Sequence, residues 1–146
     1  MTRSVVCGID GSRGSTAAAR VAAGLAERLG LRLVLVHVAQ AATLAPAGIG
    51  SPGRLLVGAT VDTELAAGER LLEELILEQG LAGAETRVVW GFAADRLADV
   101  ADAEDAELLV VGSRGRGTLK AAFLGSVSTE LVGVARCPVL VVPPAR

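Results

Sequence analysis

The chain has 146 residues, of which 51% are apolar and 21% charged, with a formal net charge of −2. That length suits one domain spanning 1–146, and that apolar content excludes a disordered chain. Lys and Arg number 14 against 16 Asp and Glu, so there is no basic excess to favour nucleic acid as a partner.

Aromatic residues are 2% of the chain and tyrosine is absent, so the core must be built from Ala, Val, Leu and Gly. Cys7 and Cys137 are the only cysteines; both lie in apolar strings and are expected as buried free thiols. There is no CxxC pair, and one histidine cannot build a His-rich metal site, so the residues name no metal ligand set. The mean hydropathy is high at +0.52, yet no apolar run is long enough to cross a membrane. No secretory leader pattern precedes the first strand, so the expected compartment is the cytoplasm.

The predicted elements alternate. Residues 4–9 read as a buried strand. From Ser15 to Leu29 the apolar positions Ala18, Val21, Ala22, Leu25, Ala26 and Leu29 recur at helical spacing, and Gly30 ends the helix. Residues 32–38 form a second strand. Residues 39–60, rich in Ala, Gly and Pro, read as a long loop. A second helix covers 61–79, with Leu65, Leu72, Leu75 and Ile76 inward. Strand three is 85–90, helix three runs from Ala94 to Ala103, and strand four is 107–111. A glycine-rich segment leads to a helix from Ser126 to Ala135 and a last strand, 139–142, bounded by Pro138 and Pro143. The acidic run Asp95, Asp99, Asp102, Glu104 and Asp105 reads as a solvated face, and Trp90 as packing.

This order implies an α/β fold: parallel strands, right-handed crossovers and helices on both faces. Near-continuous apolar strands fit a sheet buried on both sides. Such sheets bind ligands beyond the carboxyl ends of the strands, where strand order reverses. The residues to inspect are therefore Asp10–Gly11, His37–Val38 and Gly112 onward.

The segment from Gly112 to Ser128 carries the most chemistry. Gly112 and Gly115 admit a close backbone approach, and Gly125–Ser126 stand at a helix mouth, where free amides and the helix dipole favour phosphate. The hydroxyls of Ser126 and Ser128 would add donors. A plain loop followed by a capped helix has the same glycines, and glycine content alone does not choose between the two. Arg114 and Arg116 serve equally as phosphate partners or as solvated loop arginines. The P-loop lysine is missing, as is a G-x-G-x-x-G after strand one. His37 reads as a strand histidine and not as a catalyst, since no carboxylate is placed to orient it and no G-x-S-x-G elbow exists.

Gly112-x2-Gly115-x9-Gly125-Ser126 resembles the nucleotide-binding motif of ATP-binding universal stress proteins. The likeness extends to Asp10-Gly11-Ser12, to Leu35–Val38, to Ala106–Gly115, to Gly125–Ser128 and to Cys137–Val142. It covers nearly the whole chain, with 39–60 the part that has no match. It implies an open, Rossmann-like five-stranded parallel sheet of order 3-2-1-4-5. It also implies a nucleotide site made of Ile9, Asp10, Gly11, Ser12, Val38, Val111, Gly112, Ser113, Arg114, Gly115, Gly125, Ser126, Val127 and Ser128. In that site Asp10 lies near the ribose, the Val38 backbone meets the adenine edge, and the glycine segment with Ser126–Ser128 holds ribose and phosphates.

The expected function is that of an ATP-binding, nucleotide-responsive stress regulator, with Mg2+ as ATP's companion. It is not expected to be an efficient enzyme; slow ATP hydrolysis stays open. The alternatives are a module for AMP or cyclic AMP, and a protein-interaction scaffold with an empty nucleotide loop. Strand 139–142 would be a sheet edge, short, apolar and uncharged, and is the expected seam of a homodimer.

Overall fold

The structure is a computed structural model, and it describes residues 2–40, 57–113 and 125–144. Five strands, β1 (Ser4–Gly8), β2 (Arg32–Ala39), β3 (Glu85–Trp90), β4 (Ala106–Gly112) and β5 (Val139–Val142), alternate with four helices: α1 (Arg13–Leu29), α2 (Val57–Gln79), α3 (Ala93–Ala103) and α4 (Ser126–Val134). The sheet is parallel throughout, in the expected order β3-β2-β1-β4-β5. The reversal falls between β1 and β4, because β1 pairs with β2 on one side and with β4 on the other.

Two apolar layers cover the sheet. Val5, Cys7, Leu35 and Val110 point to the face that α1 and α2 close with Ala18, Ala22, Leu72 and Leu75. Val6, Val34, Val36, Leu109 and Val111 point to the face closed by α3 and α4 with Leu97, Ala98 and Leu131. A fully buried leucine such as Leu72 or Leu131 contributes roughly 2 kcal/mol. The inward stripe of α1 is Ser15, Ala18, Ala19, Ala22 and Ala26. Val21 and Leu29, expected inward, are exposed, because the alanines are what fit against the central strands.

Local boundaries follow capping chemistry. The helix α1 begins at Arg13, two residues before the expected start, because the Ser12 hydroxyl accepts from the Ser15 amide at 3.2 Å. Such a cap stabilises a helix by about 1 kcal/mol. Gly30 closes α1 in the left-handed region. The helix α2 starts at Val57, so the last four residues of the expected loop are helical; 41–56 lie outside the described residues.

At the amino ends of the strands, Glu104 departs from the expected solvated face. Its side chain is mostly buried and bridges Arg87 at 2.7 Å and Arg32 at 3.1 Å. Glu85 pairs with the same two arginines, Arg32 at 3.0 Å and Arg87 at 3.2 Å, so two arginines and two glutamates alternate across β2, β3 and the end of α3. Asp95, Asp99, Asp102 and Asp105 are exposed as expected. Cys7 is fully buried and burial pushes its thiol pKa up; Cys137 is only half-buried, against expectation.

Candidate functional site

The carboxyl ends of β1 and β4 meet at the reversal, and the sequence-predicted residues gather there. Ile9 is buried, and its amide donates to the Val36 carbonyl at 2.8 Å. Its own carbonyl accepts from His37 Nδ1 at 2.7 Å. Asp10 is half-buried, and its Oδ1 accepts from the Ser12 amide at 2.9 Å. Gly11 between them sits at a φ of 85°, which a side chain would strain. The turn thus folds on its own carboxylate before α1 begins. Among the described residues, Oδ2 has no partner.

The end of β4 lies against the first turn of α1. A Cβ on Gly112 would stand 2.8 Å from the Gly14 carbonyl carbon and 2.9 Å from its oxygen. Gly112 therefore serves a close helix–strand approach to Gly14. Val111 is buried one residue earlier. Ser113 continues the strand direction by donating its amide to the Val142 carbonyl at 2.8 Å.

The mouth of α4 is tied to the same strand. Gly125 is buried and donates its amide to the Ser113 carbonyl at 2.6 Å. It is the N-cap of α4, with no side-chain cap bond. The first-turn amides of Ser126, Val127 and Ser128 are left without the cap that Ser12 gives α1. Ser126 is exposed and Val127 half-buried. The Ser128 hydroxyl is buried and donates to the Gly125 carbonyl at 3.2 Å, so the expected free hydroxyl donor is turned inward. Thr129 also reaches the Gly125 carbonyl, at 3.0 Å.

The structure thus brings together Ile9, Asp10, Gly11, Ser12, Val111, Gly112, Ser113 and Gly125–Ser128 around one reversal point. Val38 stands half-buried near the end of β2, opposite Val89 of β3. Arg114 and Gly115 lie outside the described residues. Sequence reasoning missed two partners, Gly14 and the His37 tether to Ile9. A glycine inside the first turn of a helix was the available signal for the former.

Among the described residues, no cluster of three or more His, Cys, Asp and Glu could hold a metal ion. The same residues include no helix long and apolar enough to cross a membrane.

The family model described as Universal stress protein family matches residues 1–143. The chain belongs to the universal stress protein family. The universal stress protein in the QAH/OAS sulfhydrylase 3′ region of Thermus aquaticus is 31% identical over 142 residues, covering 97% of this chain and 99% of that protein. A universal stress protein of Mycobacterium tuberculosis is 33% identical over 144 residues, but the match covers 47% of its length, so the chain spans about half of that relative. Among solved structures, a universal stress protein in complex with cAMP is 28% identical, with a TM-score of 0.66 over 99% of this chain and 98% of that one. The universal stress protein UspA from Lactobacillus plantarum, at 20% identity, shares the fold with a TM-score of 0.79 over 97% of each chain.

Proposed function

We propose that the protein binds an adenine nucleotide, ATP in the first place, at the reversal between β1 and β4, and acts as a nucleotide-responsive regulator. The observation that carries this reading is the uncapped first turn of α4, pulled onto the end of β4 by the 2.6 Å Gly125–Ser113 bond beside the Asp10 turn. Three first-turn amides with no partner among the described residues, together with the positive end of a helix dipole, are a ready anion site. In this reading the Ser126, Val127 and Ser128 amides receive phosphate, Asp10 Oδ2 accepts from a ribose hydroxyl, and the Val38 backbone meets the adenine edge. Ile9, Gly11, Ser12, Val111, Gly112 and Ser113 form the floor. Arg114 and Gly115 belong to the same site by their place in the motif. The residues fit a nucleotide without supplying a metal cluster, so Mg2+ enters only as the ion that ATP brings with it.

Ligand binding stabilises whichever state it favours, and a regulator needs no turnover for that. No described residue pairs a nucleophile with a base at the site, which is why regulation is preferred over catalysis here. Cyclic AMP is the second reading, favoured by the 28% identical structure that holds it. The protein is further read as cytoplasmic and as a homodimer joined along β5.

The test is a calorimetric titration with ATP, ADP, AMP and cyclic AMP on the unaltered protein and on Gly125→Val. Affinity falling from ATP to AMP, and lost in a folded Gly125→Val, is the expected result. Tighter binding of cyclic AMP transfers the site to the second reading, and wild-type affinity in Gly125→Val removes the phosphate assignment.

A further inference from the structure

His37 is the one histidine of the chain, and it sits between the β1–α1 turn and helix α2. Its Nδ1 lies 2.7 Å from the Ile9 carbonyl oxygen. A carbonyl oxygen can only accept, so Nδ1 must carry the proton. Ile9 is 4% exposed, and among the described residues no other donor reaches that oxygen. On the opposite side the ring is met by α2. A Cβ on Gly68 would stand 2.6 Å from His37 Cδ2 and 2.9 Å from Val88 Cγ1. A glycine in a helix interior costs about 1 kcal/mol against alanine, and here it makes the room that the ring occupies.

We propose that His37 is a positioning residue for the nucleotide site: its Nδ1–H holds the Ile9 carbonyl, and thereby the turn that presents Asp10. The peptide unit is planar, so fixing the Ile9 oxygen fixes the plane that joins Ile9 to Asp10. The other half of that clamp is the Ile9 amide on the Val36 carbonyl at 2.8 Å. From Asp10 the order passes to the Ser12 amide at 2.9 Å and through the Ser12 cap into α1. One line of contacts therefore runs from Gly68 of α2 through His37 to Asp10. Without the imidazole donor, the Ile9 carbonyl is a buried acceptor with no partner, and the turn relaxes toward whatever satisfies it. The proposal rests on the reading of Asp10 as a ribose ligand for its effect on affinity, but not for its effect on the turn.

The experiment has three readouts. Nitrogen-15 NMR of the unliganded protein should show the neutral ring as the Nδ1–H tautomer, and an Nε2–H tautomer overturns the proposal without any variant. Amide exchange at Ser12 should quicken in His37→Leu relative to the β1 amides, and should stay slow in His37→Asn, whose amide nitrogen takes the place of Nδ1. ATP titration should show roughly tenfold weaker binding in His37→Leu and most of the affinity kept in His37→Asn, the loss expected for one buried hydrogen bond. Unchanged exchange in a folded His37→Leu, or an asparagine variant as impaired as the leucine one, overturns the proposal. If the unaltered protein binds none of the nucleotides, the proposed function fails, while the tautomer and the exchange rates still decide the positioning role.

Discussion

The approach of β4 to α1 gives a sharp test through two glycines. A Cβ on Gly112 would lie 2.8 and 2.9 Å from Gly14 backbone atoms, a separation that real Cβ atoms do not show. The obstacle is main chain, so no side-chain rotation relieves it. Either the end of β4 or the first turn of α1 must move, and such overpacking costs about 1–3 kcal/mol. Gly24 is the control: it lies inside α1, and a Cβ there meets nothing within 4 Å. Replacing that helix glycine by alanine should stabilise by roughly 0.5–1 kcal/mol. Gly112→Ala and Gly24→Ala are one methyl each, yet they should separate by about 2–4 kcal/mol. In urea, with a slope of about 2 kcal/mol per molar, their midpoints should differ by roughly 1–2 M. Gly112→Ala should also weaken ATP binding, since the segment displaced is the one beside Ser12 and Asp10. A Gly112→Ala protein as stable as the parent would refute the close approach.

The remaining predictions concern charge, thiols and assembly. Hydrogen bonding from Arg32, then from Arg87, holds the Glu85 carboxyl below its usual range, although burial opposes it. Its folded pKa is below the unfolded one, so the stabilisation is present above the ordinary carboxylate range and fades as pH falls through the folded titration. Glu85→Gln should therefore be less stable than the parent at pH 7, with the gap closing as pH drops below about 4; a gap constant with pH would remove this role. Thiol titration with an aromatic disulfide should modify Cys137 before Cys7, because Cys7 is fully buried and its thiol pKa is raised; equal rates in the folded protein would contradict the burial. Light scattering should find a homodimer that Val141→Lys shifts toward monomer, and a monomeric parent would rule out the β5 seam.

Much of the fold is legible in the sequence because β1, β2, β4 and β5 carry near-continuous apolar runs and Val88–Trp90 extend β3 the same way. The 3-2-1-4-5 order followed from the family likeness, and the sheet has it. The start of α2 was hidden because Val57, Gly58 and Thr60 have weak helix propensity and follow a Gly- and Pro-rich stretch. Val21 and Leu29 misled because helical spacing tells which residues share a face, not which of two small-residue stripes a close-packed sheet accepts. Glu104 looked like one more surface acid; only the register of β2 and β3 brings Arg32 and Arg87 to it. At the site, the strand-end rule pointed to Asp10–Gly11, His37–Val38 and Gly112 onward, and the helix mouth to Gly125–Ser128. The His37 tether was out of reach, because it joins residues 28 apart on different strands.

The middle place of β1 in the sheet sets the order in which the protein can be completed during synthesis. Val5 pairs with Leu33 on one side and Leu108 on the other. The first partner follows soon after on the ribosome; the second arrives only when most of the chain has been made. Until then the apolar edge of β1 that β4 covers, Val5–Cys7, has no partner in the sheet. Closing that edge is a long-range contact, slow by its loop entropy. A nascent or partly unfolded molecule therefore exposes a sticky strand at the position where the finished protein forms the floor of its candidate nucleotide site.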